Sequence, residues 1–503
     1  MVVGKRRVVP EPTWLKHDCV LKYFQKFLDN KYIVCYNTSC SRERLRRTYF
    51  KLRSLVLRKN IILSADSYKY SQSPLYPEGT TSMYGYIEPR VKGKRVVPLG
   101  ISMYIKDWLT TPVTKAEIDE AEELIVPHGE PFNRPFWEHI VNKYGGFMPL
   151  TINGVPEGLV VPSSTGIVDV ECNDPVVASL ASFVETAMQR SVWYPTTIAS
   201  QGLELYNTVK WFYDHGSDNP ANIGFALNDF GSRGATSYES SQAGGLGHLV
   251  YFQGTDNVAA LKAARDYYGA TGPVGFGVPA SEHSVQCAYG KDNQRAYLKA
   301  MLDNYARPGS IVSIVLDGYD VYREAELLCT EFKDQIIASG AKVVFRPDSG
   351  DMFEVVPRLL AMQEKAFGYV VNSKGKKVIN HVGIIQGDGI NPTTFGMLLQ
   401  KVFDLGYAPE CVVMGSGGGL LQSVTRDTMK FAQKTSYMVI NGVGVETVKD
   451  PITDPGKRSK GGRQATDEFV PYYKNGEVLY NPKWSEICDR AMSSRNRWLD
   501  TVV

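Results

Sequence analysis

The stretch Cys411-Val-Val-Met-Gly-Ser-Gly-Gly-Gly-Leu-Leu-Gln-Ser-Val-Thr-Arg426 runs from a short apolar segment through three successive glycines, Gly417, Gly418 and Gly419, into a helix-like segment. Without Cβ atoms, successive N–H groups there can turn toward one anion, and the helix that follows adds its positive end. Arg426, expected one to two turns into that helix, would clamp phosphate oxygens with its guanidinium. The stretch therefore reads as a phosphate cradle. It is not a Walker A loop, since no Gly-Lys-Ser/Thr closes it, and Leu420 breaks a Gly-x-Gly-x-x-Gly pattern. A plain turn joining strand to helix is the alternative when the stretch is taken alone.

Working outward, the same design of apolar run and polar tip recurs at Asp229, Asp256, His283, Asp317, Asp348, Asp388 and Gly417, spaced by 27, 27, 34, 31, 40 and 29 residues. Such spacings are the length of one strand-helix unit. Helical periodicity fills the intervals at 257–268, 293–305 and 322–339, and an eighth apolar run, Tyr437-Met-Val-Ile-Asn-Gly442, follows. Repeated βα units with polar tips predict an α/β fold: an irregular (β/α) barrel with its site at the carboxyl ends of the strands. A doubly wound open sheet is the rival, disfavoured because every tip carries chemistry and the glycines come from the seventh unit.

The remaining segments predict a second, smaller β-rich α+β domain formed by the N- and C-terminal parts. Asn60–Lys69 reads as an apolar strand entering a polar turn, and Tyr76–Arg90 as a Pro-Glu-Gly turn followed by an alternating aromatic strand. Residues 99–125 read as two helical pieces broken at Thr111-Pro112, and 147–170 as short strands punctuated by Pro and Gly. Residues 174–214 read as helices, and the C-terminal segment as an Asn475-Gly476 hairpin and an amphipathic helix. The expected organisation is a basic extension over 1–59, the β-rich domain over 60–173 and 445–503, and the barrel over 174–444.

A chain of 503 residues exceeds one compact core, and 43% hydrophobic with 22% charged residues is ordinary for a globular protein. No apolar run reaches membrane-spanning length, no secretory signal is readable, and the eight cysteines are scattered, which together predict a reducing, cytoplasmic setting without membrane partners. Residues 1–59 hold 15 Lys or Arg against 4 Asp or Glu, a balance of +11 within a net charge of +3. That arm is read as a solvated appendage, disordered or a short packed helix, rather than a nucleic-acid contact.

The tips bring together the carboxylates Asp229, Asp256, Asp317, Asp348 and Asp388, the cations Arg233, Arg346 and Arg426, and His283, whose tautomer Glu282 could fix. Carboxylates beside a phosphate cradle suit Mg²⁺ held partly by protein and partly by substrate oxygens. Any single Asp at a strand end is more often a helix cap. A basic loop with Lys449, Lys457, Arg458, Lys460 and Arg463 is either solvated or a second group of phosphate ligands. Residue chemistry thus reaches a barrel enzyme acting on a polyphosphorylated substrate, and stops there.

The motifs Asn60-Ile-Ile-Leu-Ser-Ala-Asp-Ser-Tyr-Lys69, Asp229-Phe-Gly-Ser-Arg-Gly234, Gly254-Thr-Asp256, Val278-Pro-Ala-Ser-Glu-His-Ser284, Arg346-Pro-Asp-Ser-Gly350, Gln386-Gly-Asp-Gly389, Gly415–Gln422 and Asp450–Lys460 occur in an order that resembles the nicotinamide phosphoribosyltransferase family, type II phosphoribosyltransferases of the nicotinate phosphoribosyltransferase-like group. The resemblance implies transfer of a phosphoribosyl group from 5-phosphoribosyl 1-pyrophosphate to nicotinamide, with Mg²⁺, with ATP as co-substrate, and in a homodimer with shared sites. It implies that Phe230 and the partner's Tyr68 sandwich the pyridine ring, with Asp66 nearby, and that Asp256 accepts from the carboxamide. Gly387, Asp388 and Asp348 would hold ribose, and Gly417, Gly418 and Arg426 the 5′-phosphate. Arg233, Arg346 and Asp317 would organise pyrophosphate and Mg²⁺, the metal being held mostly through pyrophosphate with Asp317 and Asp348, while Arg90, Lys434 and Lys449 would add cations, some across the dimer. His283, beside Glu282, would be transiently phosphorylated by ATP. Asn228 stands where better-known members carry His, and Ser232 where they carry an aromatic residue. Nicotinate transfer and a non-catalytic binding role are the competing expectations, the first opposed by Asp256 and the second by the loaded tips.

Overall fold

In the computed structural model, residues 59–454 and 457–499 are described; the basic extension over 1–59 falls outside them but for Lys59. Six parallel strands form the sheet that carries the chemistry: β1 (Leu227–Asp229), β2 (Gly254–Thr255), β3 (Ile311–Val315), β4 (Lys342–Arg346), β5 (Val382–Gln386) and β6 (Val412–Ser416). Their order across the sheet is β2-β1-β6-β5-β4-β3, which is chain order bent round until the first strands meet the last. Residues 276–280 touch both edges through single bridges, Gly254 with Phe276 and Ala280 with Ser313. The apolar runs are short and buried on both faces, as strands covered by crossover helices must be.

Register decides what the sheet presents. Ser416 lies opposite Asp229, Asp229 opposite Thr255, and Val315 opposite Arg346, so these strands end on one rim. Phe230, Asp256, Asp317, Asp348, Gly387 and Gly417 each follow a strand end by one or two residues. Other acids near the rim serve the helices: Asp320 accepts from the backbone of Tyr322 and Arg323, and Asp351 from Phe353. The crossover helices include Tyr238–Leu249, Val258–Tyr268 and Gln294–Tyr305, and the expected helix over 322–339 divides into Val321–Cys329 and Lys333–Ser339.

A second sheet is antiparallel and is built around Thr80–Pro89, which pairs with Phe431–Ile440 on one side and Val168–Cys172 on the other. Thr151–Gly154 and Val470–Lys474 extend it, and the Asn475-Gly476 hairpin forms as expected, both residues at positive φ. The 32-residue helix Glu185–Gly216 packs on the crossover helices Tyr238–Leu249 and Pro392–Asp404.

Two expectations fail for identifiable reasons. The eighth apolar run, at Tyr437–Asn441, lies within and just beyond the ten-residue strand Phe431–Ile440 of the antiparallel sheet, not in the parallel one. Its Gln433-Lys434-Thr435 interruption suits a half-buried ladder, and the long alternating strand at Thr80–Pro89 supplies the partner. Asn60–Lys69 forms two 3₁₀ turns rather than a strand, because Asn60 accepts from Ile62 N–H and Ser64 donates to the Ile61 carbonyl.

Candidate active site

At the rim, Phe230 is placed by backbone and by glycine. Its N–H donates to the Ser416 carbonyl at 3.0 Å, and its ring lies against β6, where a Cβ on Gly415 would fall 2.0 Å from the ring edge. Only glycine leaves room for the ring there. The Arg346 guanidinium sits 5.7 Å from the ring centroid. A Cβ on Gly387 would come 2.7 Å from Asp348 Oδ1 and 3.7 Å from the Phe230 ring, so the two glycines let ring, arginine and carboxylate crowd together.

A hydrogen-bonded chain continues across β3 and β4. Arg346 donates to Asp348 Oδ2 at 3.0 Å, the Asp348 N–H donates to Asp317 Oδ2 at 3.1 Å, and Asp317 Oδ1 lies 2.9 Å from His283 Nε2. Asp317 therefore orients the imidazole. Glu282 does not: it is the N-cap residue of the helix His283–Ala288 and takes the Ser284 hydroxyl instead. Neighbouring residues entering a helix diverge, so Glu282 cannot hold the ring beside it. The buried Arg346 Nε has no partner among the described residues, a donor left for something the chain does not supply.

Asp256 follows β2, and its N–H is fixed to the Asp229 carbonyl at 2.9 Å. Its carboxyl is pushed above the usual range chiefly by loss of surrounding water; Arg346 and Arg233 act against that and Asp229 with it. Asp229 itself is fully buried and occupied by the chain, accepting from Gly231 N–H at 2.7 Å and Asn257 Nδ2 at 3.0 Å. It is a structural acid. Asp388 is exposed, its carbonyl taken by Gln386.

The glycine turn begins at Gly417, and the helix behind it is one turn long, Gly418–Leu421. Arg426 is therefore not on that helix. It lies in the following turns, half-exposed and paired with Asp427. It acts on a second group of charges instead: Lys434 is half-buried, and its ammonium is pushed below the usual range chiefly by loss of surrounding water, with Glu185 opposing and Arg90, Lys449 and Arg426 adding to the shift. Three of the expected cations, Arg90, Lys449 and Arg426, thus act on a fourth, Lys434, which lies in the strand Phe431–Ile440 of the antiparallel sheet. Tyr68, half-exposed on its 3₁₀ turn, has Glu185, Asp66 and Tyr76 as charged or polar neighbours, and Asp66 holds the Thr186 hydroxyl at 3.0 Å. The basic loop is tied down at Lys460 by Glu88 and at Arg463 by Glu171, which consumes two of its charges structurally.

Sequence reasoning missed Gly415 and Asn257. The first had a signal, a glycine inside a strand; the second, following Asp256, reads only as a helix cap.

Residues 225–481 match the nicotinate phosphoribosyltransferase family, and residues 60–152 match the nicotinamide phosphoribosyltransferase N-terminal domain. The chain is 44% identical over 407 residues to a nicotinamide phosphoribosyltransferase of Xanthomonas campestris, covering 80% of this chain and 86% of that relative. It is 30% identical over 441 residues to one of Acinetobacter baylyi, covering 80% and 86%. Among solved structures it resembles human nicotinic acid phosphoribosyltransferase with a TM-score of 0.54 at 14% identity, covering 86% and 94% of the two chains. A nicotinate-nucleotide pyrophosphorylase of Pyrococcus furiosus gives 0.52 at 12%, covering 92% and 99%. At those identities the likeness concerns the fold alone.

Proposed function

The chain belongs to the nicotinate phosphoribosyltransferase family and is a pentosyltransferase of NAD salvage, and we propose that it makes nicotinamide mononucleotide and pyrophosphate from nicotinamide and 5-phosphoribosyl 1-pyrophosphate at the carboxyl rim of the parallel sheet. The observation that carries the residue assignment is the convergence of an aromatic face, an acceptor carboxylate and an arginine-aspartate pair, each within two residues of a strand end, with an imidazole oriented by Asp317 just past a fourth strand.

Phe230 supplies one face for the pyridine ring. Asp256 accepts from the carboxamide NH₂; a nicotinate carboxylate there would face a like charge with no donor between. Arg346, with its unpartnered Nε and its single bond to Asp348, meets developing negative charge on departing pyrophosphate. The same carboxylates stabilise the oxocarbenium-like ribosyl centre, while Gly417 and Gly418 leave backbone open for the 5′-phosphate and Asp388 with Gly387 faces the ribose hydroxyls. Arg233 extends the cationic side.

Both Asp317 oxygens are engaged by the chain, and among the described residues no group of three or more His, Cys, Asp or Glu could hold a metal ion. The residues therefore fit Mg²⁺ bound mainly by pyrophosphate oxygens, with Asp317 and Asp348 as secondary ligands. Held there, the ion would neutralise leaving-group charge. His283, half-exposed and held by Asp317 through Nε2, would be the residue that accepts a phosphoryl group from ATP. The second cluster of Arg90, Arg426, Lys434 and Lys449, with exposed Tyr68, supports a homodimer in which one subunit completes the other's site. No helix among the described residues is long and apolar enough to cross a membrane.

Incubation with phosphoribosyl pyrophosphate, Mg²⁺ and either base, with and without ATP, tests the reading by following mononucleotide. Faster turnover of nicotinate than of nicotinamide would overturn the base assignment.

A further inference from the structure

Asn257 is fully buried, directly follows Asp256, and spends its amide on Asp229, which precedes Phe230, on Ser241 of the helix Tyr238–Leu249 and on Ala260 of its own helix. Its Nδ2 donates to Asp229 Oδ2 at 3.0 Å and to the Ser241 carbonyl at 2.9 Å, while its Oδ1 accepts from the Ser241 hydroxyl at 3.0 Å and from Ala260 N–H at 3.3 Å. Asp229 in turn holds Gly231 N–H, on the far side of Phe230, and its carbonyl holds Asp256 N–H. The Ser241 hydroxyl lies 2.9 Å from that of Ser232, next to Arg233. One amide therefore connects the Phe230 turn, the Asp256 turn and the helix Tyr238–Leu249. A plain helix cap would use only Oδ1.

We propose that Asn257 is the positioning residue for base selection, fixing the separation between the Phe230 ring and the Asp256 carboxylate so that a planar carboxamide fits both. The inference rests on the assignment of Phe230 and Asp256 to the base. Asn257 also supplies the only side-chain donor to the buried Asp229 carboxylate among the described hydrogen bonds, so its loss loosens the Phe230 turn, left with the Gly231 N–H bond alone, as well as the Asp256 turn. Base affinity and base choice would fall together, and the phosphoribosyl half of the site would not feel the change.

The test compares kcat/KM for nicotinamide and nicotinate, together with the KM for phosphoribosyl pyrophosphate, in the full-length wild type, Asn257→Ala, Asp256→Asn and Asp174→Asn. The last is a stability control at a carboxylate whose partners, His139, Lys143, Tyr144 and Val176, are none of the site residues. Asn257→Ala is expected to raise the nicotinamide KM about tenfold and to lower the preference for nicotinamide by a similar factor, leaving the pyrophosphate substrate's KM within about twofold. Asn257→Asp, which sets two carboxylates against each other, is expected to be worse, and Asp229→Asn/Asn257→Asp to recover part of the loss by restoring a donor-acceptor pair. If Asn257→Ala fails to fold, Ser241→Ala, which removes one bond to the same amide, is expected to shift KM and preference the same way by about threefold. Unchanged preference in a folded Asn257→Ala, or in Ser241→Ala when the first does not fold, overturns the inference while a response to Asp256→Asn leaves the base assignment standing. Indifference of base choice to Asp256→Asn overturns both.

Discussion

Asp174 and Arg346 each sit at or just beyond a strand end, one beside the antiparallel sheet and the other on the parallel rim, and the chain treats them oppositely. The Asp174 carboxylate receives His139 Nε2 at 3.0 Å, Lys143 Nζ at 2.7 Å, the Tyr144 hydroxyl at 2.6 Å and Val176 N–H at 2.8 Å. Arg346 gets one carboxylate and keeps a buried Nε with no partner. A charge saturated by its own chain holds structure; one left short is held ready for a ligand, at some cost to stability. Substitutions at the two places should therefore move different observables.

The largest separation is expected from Arg346→Gln. Loss of a preorganised donor aimed at developing charge should lower kcat/KM by roughly 10²–10³. Because the chain itself gives the guanidinium little, the thermal midpoint should move by no more than about 2 °C. A fall of many degrees with activity per folded molecule preserved would reverse the assignment of Arg346 to substrate.

Asp174→Ala is the converse. Four donors lose a buried acceptor, so unfolding free energy should drop by about 2–4 kcal/mol in chemical denaturation, with specific activity of the folded fraction within about twofold of wild type. Activity loss beyond that would mean the two regions are not separable.

Gly415→Ala lies between these cases, since its effect should appear in both readouts. A methyl group placed 2.0 Å from the Phe230 ring forces the ring aside, which should cost about 1–3 kcal/mol of stability and raise the KM for the base more than that for phosphoribosyl pyrophosphate. Equal rises in both KM values would detach Phe230 from base binding.

The same contrast explains what could be read without coordinates. Runs such as Ile311–Val315 and Lys342–Arg346 are largely buried on both faces and lead within two residues to Asp317 and Asp348, so their spacing announced parallel strands and a loaded rim. Where local hydrogen bonds compete with a ladder, as at Asn60 and Ser64, hydrophobicity misled, because a short apolar run is equally compatible with a 3₁₀ turn. The eighth run misled because pairing direction depends on which partner strand exists, not on the run itself. At the site, acids were legible as a class, but their division of labour was not. Asp229 is consumed by Gly231 and Asn257, Asp256 is left open, and Glu282 is displaced from His283 by Asp317, which lies 34 residues away in sequence. Those outcomes are set by strand register and by glycines that admit the Phe230 ring, which are tertiary facts.

The smallest expected effect concerns pH. Burial opposes ionisation of Asp174, but donors from His139, Lys143, Tyr144 and Val176 outweigh it and hold the carboxyl well below its usual 3.8. A carboxylate depressed on folding contributes its full stabilisation above the unfolded value and loses it as pH falls through the folded one. Wild type should therefore shed on the order of 1–2 kcal/mol more than Asp174→Asn as pH is lowered below about 4, and the two pH profiles should run parallel near neutrality. Asp256 has the opposite shift, raised rather than depressed, so Asp256→Asn should relieve destabilisation as pH rises through the acid range instead of removing stabilisation as pH falls. Urea midpoints of the three proteins across that range read the sign directly: if Asp174→Asn and Asp256→Asn bend the profile in the same direction, the distinction between a saturated and an open carboxylate does not hold.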